Sequence, residues 1–227
     1  MPTRSEKSDL RKTRSERSSK RLVEAATELI ADQGYSATTI AQIAQKAGYS
    51  HGLVSQRFGS KSDLIRMLAT EFQNYFAIDK LEPELKERHG LDALIVMIET
   101  YLDAVAGSGT LGRAYYELFG ESIVLVPEIH ETFVRADRNF RELLMKTIRA
   151  AIDLGEIPAA VDVSAVASVV LSILRGTAMQ WLLDGGSIDL TAIKAEIRRI
   201  FTLAFSRSGT GGIGEDDLRE RFNPRRF

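Results

Sequence analysis

The sequence predicts an all-α protein, and three observations support that class. Apolar residues recur at helical spacing through residues 14–205, whereas the alternation of apolar and polar residues typical of strands is not found. Two capping boxes, Thr13 with Glu16 and Thr39 with Gln42, mark helix starts. Glycines follow several apolar stripes where helices are expected to end. We therefore expect about nine helices.

The composition indicates a globular chain. Its 227 residues are 44% apolar, which is enough for a packed core. The chain has no cysteine, so a disulfide framework and a thiolate metal site are excluded. No window holds 18 uninterrupted apolar residues, and the first residues lack the apolar stretch of a signal peptide. We expect a cytoplasmic protein that does not bind membranes.

The first helix is predicted over Arg14–Gln33. It has an apolar stripe that runs from Leu22 to Ile30, and Gly34 is expected to end it. Residues 1–13 precede it as a basic, flexible arm. Positive charge is concentrated in the first part of the chain. Residues 1–66 hold 12 Lys or Arg against 7 Asp or Glu, while residues 67–227 hold 18 against 24. Such an arm is either a solvated tail or a DNA contact.

Two short amphipathic helices follow, separated by a tight turn. The capping box at Thr39 starts the first, and Gly48 stops it. Ser50 is placed to cap the second, whose apolar anchors Val54 and Phe58 lie four residues apart. This spacing predicts a helix-turn-helix.

The outward face of the second short helix suits a DNA major groove. It is small, polar or basic, and no acidic residue lies between residues 33 and 62, so phosphates are not repelled. A helical hairpin with a solvated polar face is the alternative. The outward positions are Gly52, Leu53, Ser55 and Gln56, flanked by His51 and Arg57.

The segment resembles the TetR family of bacterial transcription regulators over about residues 14–70. The resemblance implies a homodimer whose first three helices and the start of the fourth bind an inverted-repeat operator in double-stranded DNA. The rest of the chain would then be a variable helical domain for a small effector and for dimerisation. The matching positions are Gly34, Tyr35, Thr38, Thr39, Ile40, Ile43, Ala44, Ala47, Gly48, Ser50, Gly52, Phe58, Ser60, Lys61 and Leu64.

One departure from the family pattern concerns the phosphate contacts. The family usually has two aromatic or large residues and then His before the Phe, whereas this chain has Ser55, Gln56 and Arg57. This puts the family's tyrosine contact to a phosphate in doubt at Ser55, and we expect Arg57 to supply part of it. The expected DNA-binding residues are Arg14, Thr39, Ser50, His51, Gly52, Leu53, Ser55, Gln56, Arg57 and Lys61.

The sequence is predicted to divide into four parts. These are the arm, a DNA-binding domain over residues 14–66, an effector and dimerisation domain over residues 67–205, and a disordered tail over residues 206–227. The fourth helix is expected to run from Lys61 to about Ala77, with a break at Glu82 and Pro83. Five more helices are predicted over residues 91–106, 110–124, 127–154, 163–183 and 190–205.

The helix over residues 163–183 is apolar almost all round, so one side of it needs a partner outside its own domain core. The next helix carries a matching stripe, and in proteins similar to this one the last two helices form a four-helix bundle across the dimer axis. A wholly internal central helix is the alternative. The expected interface residues are Val166, Val170, Ile173, Ile193, Ile197 and Phe201.

Aromatic residues between the two domains predict a cavity for an apolar or aromatic effector, although most such residues are simply core. The candidates are Met97, Tyr101, Tyr115, Phe119, Phe140 and Trp181.

Two other classes compete with a regulator. A metal-dependent helical enzyme would use Glu117, Glu121, Glu128 and His130, but the paired Glu-x-x-His motifs of di-metal bundles are missing. We expect no catalytic residue, metal or cofactor. A helical adaptor that binds only protein is the other possibility. Salt-sensitive binding to duplex DNA separates the regulator from both.

Overall fold

The computed structural model describes residues 4–124 and 127–205, with side chains from Ser15 on except those of Glu16 and Val124. These residues form nine α-helices of eight or more residues, one four-residue helix and one π-helical segment, with no strand among them. The all-α prediction is confirmed. The helices are α1 (Arg4–Ala37), α2 (Ile40–Ala47), α3 (His51–Phe58), α4 (Lys61–Asn74), α5 (Glu82–Leu85), α6 (Gly90–Gly107), α7 (Thr110–Val124), α8 (Pro127–Asp153), α9 (Val163–Asp184) and α10 (Leu190–Phe205).

Helix α1 begins at Arg4 and not at Arg14, so the predicted flexible arm is helical from Arg4 on. The segment has neither Gly nor Pro before Gly34, and its Lys, Arg, Glu and Leu residues favour a helix. The capping signal at Thr13 is therefore overridden by the helix that precedes it. Gly34 interrupts α1 as expected, with φ 78° and ψ 167°, a conformation that only glycine adopts readily. The predicted tail over residues 206–227 lies outside the described residues.

The break expected at Glu82 and Pro83 is wrong. After Asn74 the chain continues as a π-helical segment, Tyr75–Leu81, which leads directly into α5. Pro83 lies in the first turn of α5, where a backbone N–H has no partner to lose within the helix. Single π-helical turns inside α-helices are frequently found at functional sites.

The domains predicted over residues 14–66 and 67–205 share one apolar core. Helix α1 packs on α2, α4 and α7, and α4 also packs on α7 and α8. Leu64, Ile65 and Leu68 of α4 are fully buried in the same cluster as Leu118 of α7. The boundary predicted between residues 66 and 67 thus falls inside a buried helix.

Helix α9 packs on α6 and α8 and leaves an apolar face exposed. By length and composition alone α9 could cross a membrane: its mean hydropathy is 1.5, and 28% of its most apolar stretch is buried. A core helix of a soluble protein can be equally long and apolar.

Candidate DNA interface and effector cavity

The helix-turn-helix predicted from the sequence is present with its caps. The Thr39 side chain accepts a hydrogen bond from the Gln42 N–H at 3.2 Å, and the Gln42 side chain accepts one from the Thr39 N–H at 2.8 Å. Gly48 ends α2 in the left-handed conformation, with φ 76°. The Ser50 hydroxyl then accepts from the Leu53 N–H at 3.3 Å, which starts α3. These local bonds hold α2 and α3 in a fixed relation.

Helix α3 presents the face that the sequence predicts. Val54 and Phe58 point into the core, at 0% and 6% exposure. Nothing lies within 4 Å of the position where a Cβ on Gly52 would be, so a base edge can approach the backbone there. His51, Gly52, Ser55 and Gln56 are exposed, and Leu53 is half-buried.

Arg57 is hydrogen-bonded within the chain. Its Nη1 donates to the Ser15 carbonyl and to the hydroxyls of Ser15 and Ser19, at 2.8 and 3.0 Å for the hydroxyls. The guanidinium therefore ties α3 to α1, which sequence spacing could not reveal because the partners lie about forty residues away. A phosphate contact by Arg57 stays a prediction. So does one by Arg14, whose side chain lies outside the described residues.

Lys61 is likewise turned inward. Its Nζ donates to the Tyr35 carbonyl and lies 3.7 Å from the centre of the Tyr35 ring. Burial lowers the pKa of the Lys61 ammonium, and the carboxylates of Glu121 and Glu128 oppose that shift. Thus Lys61 holds the start of α4 against the end of α1, and its role as a phosphate ligand stays a prediction.

Two of the acidic residues predicted as possible metal ligands hold the end of α1. Glu121 accepts hydrogen bonds from the Tyr35 N–H at 3.0 Å and the Ser36 hydroxyl at 3.1 Å. Glu128 accepts from the Tyr35 hydroxyl at 3.1 Å. Burial and then Glu128 raise the Tyr35 pKa. Helices α7 and α8 thus hold the turn that leads into α2, and no metal-binding group of three or more such side chains occurs among the described residues.

An aromatic cavity of about 270 Å³ lies between α4, the π-helical segment and helices α6 to α9. Tyr101, Tyr115 and Phe140 line it as the sequence suggested, together with Phe72 and Phe76. The rings of Tyr101 and Phe140 stack at 5.5 Å, and those of Phe72 and Tyr115 at 4.1 Å. Burial raises the pKa of Tyr115 to about 12, so this wall is uncharged.

Arg175 lines the same cavity, and sequence reasoning missed it. It is the one charged residue in the lining, at 13% side-chain exposure. Its guanidinium lies 4.2 Å from the centre of the Phe119 ring. A lone arginine inside the otherwise apolar run of α9 was the available signal.

Three predicted effector residues do not line this cavity. Met97 is fully buried in the core, Phe119 lies beneath Arg175, and Trp181 lies further along α9. A larger surface groove of about 700 Å³ runs between α1, α4 and α7. Its lining includes six charged or hydroxyl side chains of α1 and lacks aromatic rings, so it offers no ring on which an aromatic ligand could stack.

The interface prediction needs correction at two positions. Val170 and Ile197 are 1% and 6% exposed, because they pack into the core of the chain itself. The outward apolar face forms a groove of about 270 Å³ between α9 and α10. Its lining residues are Ala165, Val166, Val169, Ile173, Ile200, Phe201, Ala204 and Phe205, while Ile193 is half-buried and lies outside the groove.

Two family models match most of the chain. A model of the bacterial regulatory proteins of the tetR family matches residues 22–68, and one of the C-terminal part of BetI-type transcriptional repressors matches residues 91–203. The chain belongs to the TetR family of bacterial transcription regulators. The capped α2 and α3 are therefore the DNA-binding unit of this TetR-family regulator.

The relatives are named as regulators. The fatty acid metabolism regulator protein of Bacillus subtilis (strain 168) is 25% identical over 178 residues, which are 78% of this chain and 89% of that protein. SrpR of Pseudomonas putida is 28% identical over 164 residues, 71% of this chain and 73% of its own. The structure of FadR from Bacillus subtilis in complex with stearoyl-CoA has the same fold, with a TM-score of 0.65 and 22% identity over 80% of this chain and 96% of that one.

Proposed function

We propose that this TetR-family regulator is a cytoplasmic homodimeric repressor that binds an inverted-repeat operator and leaves it when a small, largely apolar effector binds. The observation that carries the proposal is the capped helix-turn-helix with an exposed face free of acidic residues. Occupancy of the operator would block transcription. Two-fold symmetry then sets the two α3 helices about 34–36 Å apart, one turn of DNA.

Helix α4 provides a path from effector to operator. Its last turns bring Phe72 to the aromatic cavity, and its first residue, Lys61, contacts the end of α1 beside the helix-turn-helix. A rigid helix of 14 residues passes a shift at one end to the other, about 21 Å away. An effector that widens the cavity would therefore change the spacing of the two α3 helices.

The names of the relatives support an apolar effector. One curated relative is a fatty acid metabolism regulator protein, and the FadR structure holds stearoyl-CoA. The lining of the aromatic cavity in this chain is mostly apolar, which fits such a ligand.

The dimer proposal rests on the groove between α9 and α10. Val169 and Ile200 are 55% and 48% exposed there, beside half-buried Val166 and Ile173. A contiguous apolar surface of this kind on two adjacent helices is typical of a protein interface. The matching helices of a second copy would cover it.

Selection from a random pool of duplexes tests the DNA-binding proposal. We expect an inverted repeat, and Gln56→Ala should relax the preference at one position of each half-site, at a cost of about 1–3 kcal/mol. The control is Gln45→Ala, an exposed glutamine of α2 off the α3 face. A motif that is the same for Gln56→Ala and wild type would remove Gln56 from the set of base-reading residues.

Sedimentation tests the dimer. Val169→Asp together with Ile200→Asp should leave a folded monomer, since a charge in an apolar interface is strongly unfavourable. Ile123→Asp is the control, because Ile123 is 64% exposed on α7 and lies outside this groove. A dimer that survives the double substitution would place the interface elsewhere.

A further inference from the structure

The aromatic cavity selects a small, largely apolar ligand. Two stacked ring pairs, Phe72 with Tyr115 and Tyr101 with Phe140, are part of its lining. Phe76 closes one side, edge-on to both Tyr101 and Phe140. The volume of about 270 Å³ corresponds to roughly nine water molecules at 30 Å³ each. A ligand that fills this volume has about ten non-hydrogen atoms.

Arg175, one of the lining residues, has buried hydrogen-bond donors without acceptors. Arg175 donates from Nη2 to Asp137 at 3.2 Å. Its Nε and Nη1 are buried and have no hydrogen-bond partner. A buried, unsatisfied donor of a charged group destabilises the protein, so an acceptor that reaches these nitrogens gains binding free energy.

The local charge favours an anion over a neutral acceptor. Asp137 is shared, because Arg141 Nη2 also approaches it at 3.3 Å. Arg141 is 42% exposed and lies outside the lining, so water screens its charge and Arg175 is the charged group that a ligand in the cavity would meet. The mouth is lined by the uncharged amides of Gln73, Asn74 and Asn139.

We propose that this cavity binds a monocarboxylate with an aromatic or medium-length apolar body, and that Arg175 pairs with its carboxylate. The assignment rests on the proposed function, because this ligand is the effector that the regulator senses. The guanidinium fork matches a carboxylate with two parallel hydrogen bonds from Nε and one Nη. The stacked rings bury the apolar body.

Isothermal titration of the full chain tests the proposal with octanoate and hydrocinnamate as probes and their primary amides as neutral counterparts. Both acids should bind, and each amide should bind roughly tenfold to a hundredfold more weakly because it lacks the charge. Arg175→Met should lose this preference. Arg198→Met is the control, since Arg198 pairs with Glu99 on the surface and its loss should change nothing.

The fold should survive Arg175→Met, because Asp137 keeps its contact with Arg141. If that variant does not fold, the comparison of acid with amide on the wild type decides. Equal binding of acids and amides, or no binding of either acid, would overturn the proposal. Binding of a coenzyme A thioester without binding of either free acid would overturn it too.

Operator binding measured with and without the probes separates this assignment from the proposed function. If the acids bind at Arg175 and operator affinity does not change, the carboxylate site stands and effector release fails. If neither acid binds while the operator is still bound, the carboxylate site fails and the DNA-binding proposal stands. Acid binding that also lowers operator affinity supports both.

Discussion

Substitution of Arg57 by Ala separates two roles for this residue: an anchor for α1 and a phosphate ligand. Nη1 has two N–H groups and three acceptor atoms on Ser15 and Ser19, so only two of the three hydrogen bonds can form at the same time. At about 1.5 kcal/mol each they contribute up to about 3 kcal/mol, which partial solvent exposure reduces to about 1–2 kcal/mol. We expect urea unfolding to show a loss of this size and the thermal midpoint to fall by roughly 2–8 °C.

The control is Arg66→Ala, which removes the same charge from the same part of the chain. Arg66 pairs with nearby Asp63 at the surface, both 45% exposed, so its loss should change the stability little. The salt dependence of operator binding is measured on all three proteins. If Arg57→Ala unfolds at the wild-type urea concentration and its salt slope falls by about one unit, Arg57 is a phosphate ligand and not an anchor.

Three further predictions follow from the site. Gly34→Ala should destabilise the protein by about 1–3 kcal/mol in urea unfolding, because its φ is 78° and a Cβ would lie 2.9 Å from a carboxylate of α7; Gly52→Ala, in open space on a helix, should fold as stably as wild type but weaken operator binding. Tyr35→Phe should cost about 1 kcal/mol in the same assay, since Glu128 loses a donor, and an unchanged midpoint would contradict that bond. The raised pKa of Tyr115, about 12, predicts stability that is fully present below about pH 10 and is lost as the pH rises to about 12, a loss of about 2–3 kcal/mol; urea midpoints that stay level across this window would show that Tyr115 is not buried in solution.

The helix-turn-helix could be predicted because its determinants are local. Thr39 and Gln42 are three residues apart, and Ser50 caps through the N–H of Leu53, also three residues on. Gly48 has the left-handed conformation that favours glycine over other residues. In each case the partners lie within one turn of each other, so spacing along the chain determines the contact.

The side-chain roles that depend on distant partners could not be predicted. Spacing places Arg57 at the flank of α3, but its acceptors belong to α1. Helical periodicity predicts one apolar stripe on α10 that includes both Ile197 and Ile200. It cannot show that Ile197 points into the core while Ile200 points outward, because both residues fit the helical repeat. Arg175 was detectable as a polar residue in an apolar helix, but its unpaired nitrogens were not.

Because α4 lies in the shared core, the protein cannot be divided into stable fragments at the predicted domain boundary. A fragment that ends at residue 66 would cut α4 next to the fully buried Leu64 and Ile65 and would strip α1 of the α7 surface on which it packs. We expect such a fragment to aggregate. Exchange of operator specificity between relatives by grafting whole DNA-binding segments would meet the same obstacle. The transferable unit is instead the solvent-facing side of α3, where substitutions at Ser55 and Gln56 leave every core contact in place.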